Sequence, residues 1–143
     1  MPDNCLFCKI GNGEIPSTQV YEDKKHIAFL DLFPAVKGHV LVIPKQHFAN
    51  ILEIPAKELA ELTGTVQKVA RAVEKGMGAT GFVITQANNK AAGQSIPHIH
   101  FHIIPRYKGD GMKFNAGINW WQQTKYASNQ EMEIYADKIK KSF

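Results

Sequence analysis

Three histidines alternate along one short run, His98-Ile99-His100-Phe101-His102, followed by Ile103, Ile104 and Pro105. Side chains of a strand point to opposite faces with a period of two. In a strand, His98, His100 and His102 therefore share one face, while Ile99, Phe101 and Ile103 share the other. The apolar face suits a core. The histidine face is costly when buried unless each ring is hydrogen-bonded or coordinated. Three histidines in register point to chemistry rather than to packing.

One option is a single metal ion held by all three. Strand rise is about 3.3 Å per residue, which starts His98 and His102 roughly 13 Å apart. Zinc–nitrogen bonds are only about 2.0–2.1 Å long. Neighbours two residues apart can share an ion, but the two ends cannot without a bulge. The other option gives the middle ring the chemistry and the outer two supporting roles. Neutral imidazole is nucleophilic near pH 7, and the phosphoramidate it forms with phosphorus stays reactive. His100, flanked on both sides, is the candidate nucleophile.

The elements that must position this run are legible in outline. Residues 1–18 form an irregular terminus punctuated by Gly11, Gly13 and Pro16. Gln19–Tyr21 and His26–Asp31 are predicted strands joined by a polar turn. After the loop Phe33–Gly38, His39–Ile43 is a β-branched strand stopped by Pro44. A long helix is predicted with Pro55 near its start and Gly76 past its end. Leu59, Leu62, Val66, Val69 and Val73 recur at three- and four-residue steps and form its core stripe. Early glutamates and late lysines and arginine match the helix dipole. Phe82–Gln86 is a strand, and Ala87–Ser95 is a loop in which Asn88-Asn89 suits left-handed geometry. The histidine strand follows, closed by Pro105. A tail with Trp120 and Trp121 leads to a short helix opened by the capping box Ser128-Asn129-Gln130-Glu131. The sum is an α+β domain, an antiparallel sheet of about five strands with one long helix and a short C-terminal one.

The chain has 143 residues and 44% hydrophobic residues, enough for one domain with a core. A net charge of +4 favours anionic ligands such as nucleotides. No block of Lys and Arg interleaved with aromatics suggests nucleic-acid binding, so no such partner is expected. The opening Met1-Pro2-Asp3-Asn4 is polar and no apolar run approaches the roughly 20 residues of a membrane span, so neither export nor membrane insertion is expected. Two cysteines alone, Cys5 and Cys8, suit a reducing cytoplasm. His26 has no chemical context and is expected at the surface.

The run Gly93-Gln94-Ser95-Ile96-Pro97-His98-Ile99-His100-Phe101-His102-Ile103-Ile104-Pro105-Arg106 resembles the histidine triad (HIT) family of nucleotide hydrolases and transferases, whose signature is three histidines separated by apolar residues. Resemblance extends from Cys5 to about Tyr107 and includes Phe7-Cys8-Lys9-Ile10, Glu14-Ile15-Pro16, Ala28-Phe29-Leu30-Asp31 and Gly38–Lys45. It looks closest to the Hint-like microbial branch. It implies a HIT-like fold, with a HIT domain over 1–107 and a tail with a short helix over 108–143 packed on the same domain. It further implies that His100 attacks the α-phosphate of a purine nucleotide of AMP type and that water then releases the monophosphate. His102 and His39 would line the phosphate pocket, Gln94 and Ser95 would face the phosphate and leaving group, and Asp31 would bind the ribose hydroxyls. Phe7, Ile10 and Ile15 would wall the base. Many relatives carry Asn where Ala87 stands here, so either the neighbouring Asn88 takes that contact or the contact is lost. The family also implies a homodimer.

Cys5-x-x-Cys8 lacks the helix-opening cysteine of a thioredoxin-like redox motif. Two thiolates need two further ligands for a closed tetrahedral site. His47 and His98 are available, and some microbial HIT proteins resemble this chain in binding zinc with that Cys2His2 set, which implies one structural Zn2+ per chain. The plain alternative is a pair of small apolar residues. Three functional rivals stay open: a dinucleoside polyphosphate hydrolase, a nucleotide-binding regulatory protein and a zinc-dependent hydrolase.

Overall fold

A computed structural model describes residues 2–110 and 124–143; the tail containing Trp120 and Trp121 lies outside the described residues. Its centre is set by two strands that are apolar at every position but His26. β2 (His26–Leu30) and β3 (Val40–Pro44) are buried at every position. They pair antiparallel in unbroken register, from His26 opposite Pro44 to Leu30 opposite Val40. Strands covered on both faces read as near-continuous apolar runs, and here only His26 interrupts them. β1 (Gln19–Glu22) flanks β2 and β5 (Phe101–Arg106) flanks β3, with β4 (Gly81–Thr85) outermost, giving the order β1-β2-β3-β5-β4. The expected α+β architecture is the one observed.

The two faces of this sheet differ in purpose. One carries the main core, where Val20, Ala28, Val40, Val42, Ile99 and Ile103 meet the long helix α2 (Ala56–Met77) and the C-terminal helix α3 (Asn129–Lys140). The other carries a smaller cluster of Phe7, Ile10, Ile27, Phe29, Leu41 and Ile43 under the short helix α1 (Leu6–Gly11). The period-two argument therefore holds across Ile99 and Ile103, which face the large core. The histidines face the smaller cluster.

Several expectations change. The N-terminus is not irregular throughout. Cys5 caps α1, its Sγ accepting a hydrogen bond from the Cys8 N–H at 3.4 Å. A six-residue helix is too short to announce itself by periodicity and is held by the contacts of Phe7, Cys8 and Ile10. So a cysteine does open a helix, although not in a βαβ unit. β5 begins at Phe101, so His98–His100 precede the strand; there the chain is drawn toward the loop after β3 by a bond from the Ile99 N–H to the Phe48 carbonyl, 2.8 Å. Pro105 lies within β5 rather than closing it. Pairing with β3 ends at Ile103, leaving β5 a neighbour on one side only, where proline is tolerated.

Gly76 lies inside α2, and the helix ends instead at Gly78, whose φ of 61° gives the left-handed cap. Gly76 is there because α3 crosses α2 at that point: a Cβ would sit 2.5 Å from the Lys138 carbonyl oxygen. His26 is buried rather than at the surface, its Nδ1 2.7 Å from Thr65 Oγ1 on α2. The capping box holds, with Ser128 accepting from the Glu131 N–H, although Glu131 returns its bond to Ala127. Among the described residues no helix is long and apolar enough to cross a membrane.

Two glycines of α2 give opposed outcomes. Gly76→Ala should lower stability by about 1–3 kcal/mol through overpacking, despite its better helix propensity. Gly64→Ala, with nothing within 4 Å of its Cβ, should raise stability by roughly 0.5–1 kcal/mol. Urea unfolding of both variants checks the pair.

Candidate active site and metal centre

Between α1, the ends of β2 and β5 and the first turns of α3 lies a cavity of about 660 Å³. Phe7, Ile10, Ile15, Asp31, Ser95, His100 and His102 line it, whereas His39, also expected at the phosphate pocket, does not and instead meets His102 from behind. Phe29 and Leu41 supply more of its apolar wall, and Asn129, Met132 and Glu133 of α3 line it too. Leu41 was legible in principle, because it lies directly opposite His102 in the sheet. The α3 residues were not, because sequence does not reveal where a terminal helix docks.

The hydrogen bonds of the histidines fix their tautomers. His100 Nδ1 lies 2.8 Å from the His98 carbonyl oxygen, which can only accept, so Nδ1 carries the proton and Nε2 keeps its lone pair. The Ala35 N–H donates to His39 Nδ1 at 2.9 Å, so the His39 proton is on Nε2. From there it points to His102 Nδ1, also 2.9 Å away, which leaves His102 with its proton on Nε2. A bare nucleophilic nitrogen on His100 thus sits beside a neutral N–H donor on His102, the two ring centres 5.0 Å apart. Burial pushes the pKa of His39 and His100 below the usual histidine value, with the nearby Asp31 opposing. Burial, followed by the neighbouring His100 and His39, holds that of His102 down to about 3. All three rings are neutral at pH 7.

Asp31 is not idle in the fold. Its Oδ1 accepts from the Phe33 N–H at 2.8 Å, and its Oδ2 lies 3.5 Å from His39 Nε2 and 4.0 Å from His102 Nδ1. Gln94 and Asn88 do not line the cavity. Gln94 is buried and spends its amide on the loops, donating to the Ala49 and Ile96 carbonyls and accepting from the Asn89 N–H. Asn88 accepts from the Ile51 N–H and exchanges bonds with Gln86. Both are polar residues beside a histidine run whose task here is to tie one loop to another; the sequence could not separate that task from ligand contact. Asn89 does take a positive φ, 71°.

A second group of side chains converges behind α1. Cys5 Sγ is 3.4 Å and Cys8 Sγ 3.5 Å from His98 Nδ1, while His47 Nδ1 is 3.3 Å from both Cys8 Sγ and His98 Nδ1. Tetrahedral zinc with nitrogen at about 2.0–2.1 Å and sulfur at about 2.3 Å holds its ligand atoms about 3.3–3.8 Å apart, so the four donors fit. The outer shell agrees. His98 Nε2 lies 2.7 Å from the Pro44 carbonyl, which takes its proton and turns the Nδ1 lone pair into the cluster, the arrangement common to metal-bound histidines. Burial holds His98 at about 4, hence neutral. Burial and the adjacent Cys5 push the Cys8 thiol up to about 12, a cost that a divalent cation reverses. Asp31, His39 and His102 also lie close enough to share an ion. They fit poorly, because His39 Nδ1 receives a proton where a ligating ring would donate one.

The depressed His102 value has a sign for stability. The unfolded ring takes a proton below about pH 6.5, while the folded ring stays neutral down to about 3. Between those values the unfolded state binds more protons, so this ring's contribution is complete above about pH 6.5 and is lost as pH falls toward 3. Denaturant unfolding at pH 7.5, 6 and 5 should show wild type losing stability more steeply than His102→Gln, by up to about 1.4 kcal/mol per pH unit. Parallel slopes would rule the ring out as a source.

Comparison with known proteins gives the same fold and one family. The HIT domain family model matches residues 12–109. An uncharacterised HIT-like protein of Methanocaldococcus jannaschii is 50% identical over 107 residues, 75% of this chain and 82% of that one. An adenosine 5′-monophosphoramidase of Schizosaccharomyces pombe is 38% identical over 117 residues, 82% of this chain and 83% of its own. The crystal structure of a zinc-bound histidine triad family protein from Mycobacterium smegmatis superposes with a TM-score of 0.83 at 31% identity, covering 97% of this chain and 92% of that one. Matched by that model over more than half its length, and by such relatives over most of it, the chain belongs to the HIT family.

Proposed function

We propose that the protein hydrolyses or transfers nucleotides at the α-phosphate of an AMP-type purine substrate, through a nucleotidyl intermediate on His100. The observation that carries this is the His100 tautomer. Its Nδ1 is held by the His98 carbonyl, which leaves Nε2 as the free nucleophile in a cavity large enough for a nucleotide. Nε2 forms a bond to phosphorus as the bond to the leaving group breaks, and the leaving group departs with its electron pair and takes up a proton. His102 Nε2–H donates to a phosphate oxygen without carrying charge, in keeping with a ring whose protonation burial disfavours. The ring of the intermediate is cationic; the His98 carbonyl and the Asp31 carboxylate stabilise it. Water then attacks phosphorus, restores neutral His100 and releases the monophosphate. Ser95, exposed at the rim, faces the leaving group, and Asp31 Oδ2 meets the ribose hydroxyls. The S. pombe relative named as an adenosine 5′-monophosphoramidase supports a substrate with nitrogen on phosphorus.

The HIT unit over 1–107 holds this chemistry, and the segment 108–143 contributes the α3 wall. Cys5, Cys8, His47 and His98 hold one zinc. It supplies a fixed cation that keeps the thiols ionised and ties α1 to the sheet, in a reducing, cytoplasmic setting where neither cysteine is oxidised. A homodimer would join at β4, an edge strand whose Phe82 and Ile84 are exposed side by side.

His100→Ala should abolish turnover of adenosine phosphoramidate while AMP binding by calorimetry and thermal stability stay near wild type. Rapid quenching of wild type should trap a nucleotide-bearing peptide containing His100. Retained turnover in the variant would withdraw the assignment. Metal analysis of protein purified without added zinc should give close to one zinc per chain, falling sharply in the Cys5→Ser, Cys8→Ser double variant.

A further inference from the structure

One peptide unit, between His98 and Ile99, joins the metal centre to the nucleophile. Its carbonyl accepts the His100 Nδ1 proton at 2.8 Å, and its N–H donates to the Phe48 carbonyl at 2.8 Å. A peptide is planar, so its two ends turn together. Both flanks are ligand-bearing: His98 supplies the carbonyl end, and Phe48 follows His47 in sequence. The His98 ring is held at both nitrogens, by the cluster at Nδ1 and by the Pro44 carbonyl at Nε2. A second link runs through α1. Phe7 lies between the two cysteines in sequence and packs edge-on against both His98, 5.9 Å between ring centres, and His100, 5.1 Å.

We infer that the metal centre and His100 form one mechanical unit, in which His98 acts as a positioning residue and the state of the centre governs the tautomer and aim of the nucleophile. Removing the metal would then lower turnover in a chain that is still folded. The proposal rests on the reading of His100 as nucleophile and of the four residues as metal ligands. The geometry gives it force: without a cation to hold them, His47 and His98 are free to separate, the shared peptide tilts and the carbonyl no longer selects the Nδ1–H form of His100. A misplacement of about 1 Å costs on the order of a hundredfold in rate.

The test uses the zinc-loaded protein, the same protein stripped by chelator, and His47→Asn, whose altered side chain does not line the cavity. Imidazole ¹⁵N resonances report which nitrogen of His100 is protonated, independently of turnover. Loaded wild type should show the Nδ1–H form alone. Stripped protein and His47→Asn should show a mixture, with circular dichroism still folded and kcat lower by about tenfold to a hundredfold. Zinc re-addition should restore the stripped protein and leave His47→Asn impaired. If stripping unfolds the chain, the cobalt-substituted protein decides: the visible thiolate–cobalt absorption of His100→Ala should differ from wild type, because the shared peptide has lost its donor. Unchanged His100 resonances in folded, metal-free protein, or superposable cobalt spectra, would overturn the proposal while the nucleophile assignment stands. Wild type that holds no metal would overturn the metal reading and this proposal together, again without touching the nucleophile.

Discussion

Burying imidazole rings is costly unless their nitrogens meet partners of the right polarity or open into a cavity, and unless the rings stay neutral. His39, His98 and His100 are buried, and His102 is nearly so. That constraint organises everything around them. Carbonyls stand where a proton must be, at His98 Nε2 and His100 Nδ1, and a main-chain N–H stands where one must not be, at His39 Nδ1. Moving the His39 proton would force the His102 proton to move with it. The same assignments that make the rings cheap to bury give one a free lone pair and another an outward N–H. Stability and reactivity are here two consequences of one set of hydrogen bonds.

The sheet makes this possible by dividing its faces. Its larger core, under α2 and α3, is filled by aliphatic side chains and anchors β2, β3 and β5. The smaller face can then hold polar rings, thiols and a cavity. On that side Phe7 of α1 packs edge-on against Phe29 of β2, ring centres 5.7 Å apart. A site with so many polar atoms needs a scaffold whose stability comes from elsewhere, and the opposite face provides it.

What the sequence revealed follows from range. The alternation of His98, His100 and His102 with apolar residues depends only on strand periodicity, and it correctly separated the two faces. The stripe of α2 is likewise a local signal. Features set by distant neighbours were not legible. Gly76 looked like a helix end because glycine usually is one; its reason is the Lys138 carbonyl, more than sixty residues on. His26 looked superficial because its partner Thr65 lies on another element. Gln94 and Asn88 carried the right chemistry in the right place, yet their amides were already engaged by main-chain groups of the neighbouring loop. The Cys5–Cys8 spacing and the two spaced histidines indicated a metal, and the side chains do converge. The direction of the His98 lone pair could be known only from Pro44.

The cavity wall has two origins. His100 and His102 come from the segment that enters β5; Asn129, Met132 and Glu133 are carried on a helix that lies beyond the matched HIT domain. The histidine network and the part of the wall formed by α3 therefore belong to separate stretches of the chain. A lineage can rewrite the second stretch, altering size, charge or polarity at that part of the wall, while every proton in the histidine network stays where it was. A fold arranged in this way can keep one chemistry for a very long time and still change its clientele.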